Sequence, residues 1–241
     1  MSHYLFLEAS ARDADADGNT RRLARAAAAA LPASTRQTWL RLADLAVERF
    51  VDQRHTVGTY PAPVGDLARL LEATMASTDI VLVAPVYWYS FPTSLKIYLD
   101  HWSAWLRVPG LGFKEAMAAK TLHLVTTSGD RAKAQPMIDS ARLCAEFFPM
   151  RFAGALWGKG GPPGAVEGDP AALAAAGWFV AAGGCARGRR IPAARAPGGP
   201  PAGASGSGKP AQRGAAGPAT PSRKPGRVSP GAGTPASPPA P

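Results

Sequence analysis

The sequence predicts a doubly wound α/β domain on a parallel sheet, and three observations carry that reading. Short apolar runs alternate with segments of helical periodicity through the first 182 residues, the pattern of repeated strand-helix-strand units with right-handed crossovers. One run, Ile80 to Ala84, is apolar throughout, as a strand must be when helices cover both its faces. The composition then changes abruptly near residue 182, so a foldable domain separates from a tail.

The 241 residues carry a formal charge of +10. All 17 acidic residues lie between Glu8 and Asp169, whereas 9 of the 27 Lys and Arg fall in residues 183–241, which leaves the first 182 residues at +1. Residues 183–241 also hold 13 of the 26 Gly and 13 of the 24 Pro, and their only apolar residues beyond Ala are Cys185, Ile191 and Val228. Such a composition buries no core. Domain 1–182 is therefore expected to fold and 183–241 to be a disordered basic tail. The abrupt change equally fits a gene segment read out of frame, which resequencing around codons 176 to 190 would decide. A nucleic-acid role is expected, if at all, of the tail alone.

Cys144 and Cys185 stand at no metal or redox spacing, which excludes a disulfide framework and points to a reducing compartment. The start MSHYLFLEAS lacks the features of a signal peptide, and the apolar window Ile80 to Phe91 is shorter than the roughly 20 residues of a membrane span. A cytoplasmic protein without membrane attachment is expected. His3, His55, His101 and His123 show no metal spacing and accompany no nucleophile elbow, so neither a metal centre nor a hydrolase is expected. His101, after Asp100 and near a helix end, reads as a cap, and Trp102 and Trp105 as core or subunit interface. Gly203 to Pro210 has the spacing of a phosphate loop but a Pro at the metal-binding position, and it is set aside.

In chain order, Tyr4 to Ala9 reads as a buried strand, followed by the polar loop SARDADADGNT and an Ala- and Arg-rich helix from Thr20 to Leu31. Thr38 to Leu45 reads as a second strand, although its Leu spacing also suits a helix. Leu67, Leu70, Leu71 and Met75 mark one face of the next helix. Ile80 to Ala84 is the third strand, and Pro92 suits the start of a helix carrying Leu95, Tyr98, Leu99, Trp102 and Leu106. Thr121 to Thr127 is a strand, and Met137, Ala141, Cys144 and Phe148 form a helical stripe. Phe152 to Trp157 is a fifth strand. Asp169 caps a last helix with Pro170 in its first turn, running to about Ala182. Five strands and five helices result.

In such a sheet, ligands bind beyond the carboxyl ends of the strands, where strand order reverses. Three loops are placed there. Ser10 to Thr20 ends on a helix start, where amides and hydroxyls suit a phosphate; Ser10, Arg12, Asn19 and Thr20 are the candidates, against an ordinary helix cap. Asp13, Asp15 and Asp17 oppose an anion unless they bulge into solvent. Pro85 to Phe91 delivers Tyr87, Trp88 and Tyr89 to the edge, where rings and the amides of Val86 to Ser90 could wall a planar heterocycle. The alternative is a loop folded into core or interface. Thr126 to Asp130 adds hydroxyls and a turn at Gly129 from the other side.

The stretch DIVLVAPVYWYSFPTSLKIYLDHW resembles the flavin loop of the flavodoxin-like NAD(P)H-dependent FMN reductase and quinone reductase family. Ser10 and Gly18 to Thr20 resemble that family's phosphate loop, here longer and more acidic, and KTLHLVTTSGD its fourth strand and second flavin-side loop. The resemblance covers roughly residues 3–182. It implies a flavodoxin-like three-layer sandwich with a five-stranded parallel sheet. It also implies FMN, with phosphate at Ser10, Asn19 and Thr20 and the ring at Pro85, Val86, Tyr87, Trp88, Tyr89 and Ser90, near Thr127 and Gly129. NAD(P)H would be the co-substrate, a quinone, free flavin or similar small molecule the acceptor, and the assembly a homodimer or homotetramer. No catalytic side chain is then required, because the flavin carries the hydride. An electron carrier without NAD(P)H turnover is the alternative.

Overall fold

The computed structural model describes residues 2–13 and 17–185, the side chains of 181–185 excepted. The expectations for 186–241 lie outside the described residues.

Five parallel strands, β1 (His3–Glu8), β2 (Arg36–Arg41), β3 (Asp79–Val83), β4 (Thr121–Ser128) and β5 (Arg151–Lys159), form one sheet in the order β2-β1-β3-β4-β5. This is the flavodoxin-like order, whose reversal between β1 and β3 opens a crevice at their carboxyl ends. Helices α1 (Asn19–Ala29) and α6 (Pro170–Cys185) pack on one face; α2 (Gly65–Ala76), α3 (Thr93–Trp105), α4 (Phe113–Ala118) and α5 (Arg131–Phe147) cover the other.

Strand alternation explains both cores. In β1, Leu5 and Leu7 enter the α2–α5 core while Tyr4 and Phe6 enter the α1–α6 core. In β3, Ile80 and Leu82 oppose Val81 and Val83 in the same way. A strand apolar at every position has two buried faces to fill, and the helices fill them. On the α2–α5 side an aromatic cluster of Tyr98, Trp102, Trp105, Phe113 and Phe148 packs mostly edge to face. Trp102 and Trp105 are thus core residues.

Four expectations change. The second strand stops at Arg41, where Leu42 to Asp44 make one 3-10 turn; Asp44 folds back to pair with Arg41, and Leu42 turns into the core. A sixth helix, α4, starts after Gly112, whose φ of 61° sets the turn, a conformation glycine adopts without a Cβ penalty. The last helix continues through Gly183 and Gly184 to Cys185, because glycine weakens a helix by only about 1 kcal/mol per residue and does not clash as proline does. Its start is as read, with Asp169 accepting the Ala172 amide at 3.0 Å. His101 does not cap α3: it lies inside the helix, buried, with Nε2 2.9 Å from the carbonyl of Glu48. It holds the loop between β2 and α2 against the domain.

Candidate functional site

Beyond the carboxyl ends of β1, β3 and β4, a cleft of about 240 Å³ is lined by Ser10, Arg12, Asn19, Thr20, Pro85, Val86, Tyr87, Thr127 and Gly129. Nine of the twelve residues singled out in the sequence therefore converge. Trp88, Tyr89 and Ser90 stand outside its walls.

The β1–α1 loop supplies the donors. Gly18 is the N-cap of α1, with no side chain to bond the first turn, and the first intrahelical bond is from Arg22 N–H to the Gly18 carbonyl. The amides of Asn19, Thr20 and Arg21 thus precede any helical partner and lie at the positive helix end. The Arg12 side chain lies against Gly18, where an added Cβ would stand 3.4 Å from the Arg12 Cδ and 3.8 Å from its Nε. The Arg12 amide donates to Ser10 Oγ at 3.3 Å, and the Arg12 carbonyl accepts from Arg41. Asp17 is held at 3.3 Å by the guanidinium of Arg22, and Asp13 is exposed at the cleft wall. Arg12, Arg21 and Arg41 against Asp13 leave the lining cationic.

Asn19 departs from its expected role. Its Nδ2 donates to the carbonyls of Gly161 at 3.3 Å and Pro162 at 2.9 Å, and its Oδ1 accepts the Val166 amide at 3.2 Å. The side chain is committed to the loop after β5, so only its backbone N–H remains for a ligand. That loop is itself part of the site, through Gly160 and Gly161. A Cβ on Gly160 would stand 3.1 Å from the Ser128 nitrogen, so glycine permits the close passage over β4. Sequence reading missed Gly160 and Gly161, although the run GKGGPPG at a strand end is a turn signal. It missed Arg21 and Arg41 as well, and took in Ser128 only as part of the Thr126 to Asp130 loop. Ser128 Oγ accepts from Trp157 Nε1 at 2.8 Å and donates to the Asp130 carbonyl at 2.6 Å, which fixes the turn before α5.

The aromatic loop is a two-residue hairpin. Tyr87 and Ser90 exchange both backbone bonds, at 3.1 and 3.0 Å, and between them Trp88 and Tyr89 have φ of 49° and 63°. Two consecutive left-handed residues are the pattern of a type I′ turn, which ordinarily selects Asn and Gly. Large side chains there cost about 1–3 kcal/mol each. Trp88 is 93% exposed and Tyr89 54%, so burial offsets little of that cost. The expectation that amides 86 to 90 face a ligand is corrected: Val86 N–H donates to the Thr127 carbonyl at 3.2 Å, and those of Tyr87 and Ser90 close the hairpin. Among the described residues, the amides of Trp88 and Tyr89 are left without a backbone acceptor.

Among the described residues no group of three His, Cys, Asp or Glu could hold a metal ion, and no helix is long and apolar enough to cross a membrane. The thiol of Cys144, which lies outside the cleft, is pushed up by burial.

Comparison with known proteins agrees with this architecture. Residues 2–154 match the family model Flavodoxin_2, described as a flavodoxin-like fold. YwqN of Bacillus subtilis, provisionally assigned as an NAD(P)H-dependent FMN-containing oxidoreductase, is 29% identical over 133 residues, covering 54% of this chain and 74% of the relative. The structure of a Trp repressor binding protein from Bacillus subtilis superposes with a TM-score of 0.57 at 23% identity, covering 74% of this chain and 97% of that one. An FMN-dependent NADH-azoreductase from Bacillus anthracis, solved with FMN, gives 0.54 at 12% identity, covering 78% and 100%. On the strength of the family match and the strand order, the chain belongs to the Flavodoxin_2 family of flavodoxin-like proteins.

Proposed function

We propose that this protein is an NAD(P)H-dependent FMN oxidoreductase that passes hydride to a quinone, free flavin or similar small acceptor. The observation that carries the reading is the opening of the α1 amides, with Arg12 lying against Gly18, into the same cleft as Pro85 to Tyr87. A dianion and a flat ring would then be held by one surface, as FMN requires. The similarity to YwqN supports the same cofactor and reductant.

The residues fit FMN. Its phosphate would be held by Ser10, Arg12, the Thr20 hydroxyl and the first-turn backbone amides of α1, where the helix end favours negative charge. Pro85, Val86 and Tyr87 would wall the ring, the amides of Trp88 and Tyr89 would reach its polar edge, and Thr127 and Gly129 would flank it. FMN, when bound, supplies the two-electron chemistry. The chain's own part is to orient the ring, to shield one side of it with the strand ends and to place oriented donors where charge develops. Family resemblance extends the reading to a cytoplasmic enzyme of two or four copies, which light scattering on the purified protein tests.

Purified protein is expected to show flavin absorbance, or to quench the fluorescence of added FMN, and to oxidise NADH or NADPH when a quinone is supplied. Absence of FMN binding would overturn the proposal. FMN binding without reduced-nicotinamide oxidation, across several acceptors, would leave a flavodoxin-like electron carrier.

A further inference from the structure

A second concavity, of about 650 Å³, runs along the edge strand β2, bordered by α1, by the turn after β2 and by Arg69 of α2, and is assigned nothing by the flavin reading. Four arginines, Arg21, Arg25, Arg41 and Arg69, line it with Glu8, Asp44, Gln37 and Trp39. The lining therefore carries a net positive charge. Two of the arginines are structural: Arg21 pairs with the nearly buried Glu8 at 2.5 Å, and Arg41 pairs with Asp44. The other two are available. Arg25 is exposed and has no hydrogen-bond or ion-pair partner among the described residues, and Arg69 reaches only Asp66, at 4.0 Å.

Trp39 gives this cavity a flat wall. Its indole is pressed on Phe6 with ring centroids 4.1 Å apart and planes 5° from parallel. Its Nε1 donates to Gln37 Oε1 at 3.2 Å, while Gln37 Nε2 donates to the Ala28 carbonyl at 3.3 Å. The ring is thus fixed on one side and borders the cavity on the other. A volume of this size suits a nucleotide-sized ligand, a fixed indole suits a stacked planar base, and guanidinium forks suit a phosphate. Arg21 and Arg41 line both this cavity and the candidate flavin cleft, so the two sites share a wall.

We infer that the α1–β2 cavity holds the adenosine end of the reductant, with the adenine on Trp39 and the ribose 2′-phosphate between Arg25 and Arg69, so that NADPH is preferred over NADH. This deepens the proposed function and rests on it for the identity of the reductant, but the site is testable without flavin.

The test titrates flavin-free protein calorimetrically with 2′-AMP, 5′-AMP and inorganic phosphate, then repeats the titrations on Arg25→Ala/Arg69→Ala. The expected order is 2′-AMP tightest. In the double variant its affinity should fall about tenfold or more, the scale of losing charged hydrogen bonds. Turnover should show KM for NADPH rising by a similar factor while KM for NADH and both kcat values hold. Equal affinity for 2′-AMP and inorganic phosphate, or an unchanged titration in the variant, would overturn the site. A parallel rise of both KM values would overturn the 2′-phosphate assignment. Arginine-dependent 2′-AMP binding in a protein that oxidises neither nucleotide would keep the site and sink the oxidoreductase reading. Trp39→Phe, which keeps a ring on Phe6, should weaken 2′-AMP without changing binding of phosphate alone.

Discussion

The hydroxyls of Thr20 and Thr127 meet at 2.6 Å in a buried contact that joins the first turn of α1 to the end of β4. The two residues are 107 positions apart in the chain, so this bond sets the distance between the proposed phosphate and ring ends of the cleft. Thr127→Val keeps the shape and removes one hydroxyl. The Thr20 oxygen is then left without that partner, at a cost of about 1–3 kcal/mol. Chemical denaturation should show that loss, and FMN affinity by fluorescence quenching should drop by roughly tenfold or more, on the same energetic scale. An unchanged affinity would show that this contact does not organise the cofactor cleft.

Trp88 and Tyr89 hold left-handed backbone conformations in a hairpin where their side chains are largely exposed. Strain of this kind persists where function requires it. Replacing the pair with Asn-Gly, the residues such a turn prefers, should stabilise the domain by roughly 1–2 kcal/mol. The same variant should turn over more slowly or bind FMN more weakly. A variant that gains stability and keeps full activity would show that the strained hairpin is not needed for function, and one that loses stability would contradict the strain.

How much of this was legible in the sequence depends on how directly each feature is encoded by local pattern. β1, β3 and β4 stand out because strands covered on both faces are apolar at nearly every position. β2 is an edge strand, and in RQTWLRLADL the apolar positions fit both strand and helix, so its end at Arg41 needs the Arg41–Asp44 pair to be seen. Ser10, Arg12 and Thr20 were readable because a polar loop running into a helix has a generic use. The turning of Asn19 toward Gly161 and Pro162 was not, since it depends on a loop 142 residues away. The aromatic loop advertised its rings, but which amides it leaves free is set by pairing with Thr127 and within the hairpin, and no residue type signals that.

Gly158 and Gly129 give opposite expectations for the same substitution. A Cβ at Gly158 would stand 2.9 Å from Leu23 Cδ2, 3.0 Å from Val166 Cγ2 and 3.3 Å from Ala172 Cβ, where β5 meets α1 and α6. Overpacking of that kind costs about 1–3 kcal/mol, so Gly158→Ala should lower the thermal midpoint. At Gly129 a Cβ would meet nothing within 4 Å, and Gly129→Ala should leave stability within about 0.5 kcal/mol of the parent. If FMN lies against this turn as proposed, the methyl group will nonetheless weaken FMN binding. Full FMN affinity in Gly129→Ala would move the ring away from the β4–α5 turn.

His123 on β4 is fully buried against Tyr4 and Phe179, with Nε2 3.2 Å from Asp79 Oδ1. Its Nδ1 has no hydrogen-bond partner among the described residues. Burial holds the imidazole below its ordinary value, outweighing the nearby Asp79 carboxylate, which acts the other way, while Arg151 adds to the depression. The unfolded chain therefore protonates this residue first, near pH 6.5, and from there down to the lower folded value the unfolded state binds more protons. Stability must fall as pH falls through that window, and this residue contributes no pH dependence above it. His123→Gln keeps a donor for Asp79 but cannot titrate. Denaturation at pH values on either side of about 6.5 should then show a smaller acid-side loss in the variant than in the parent. Equal losses would mean that His123 is protonated in the folded protein as readily as in the unfolded chain.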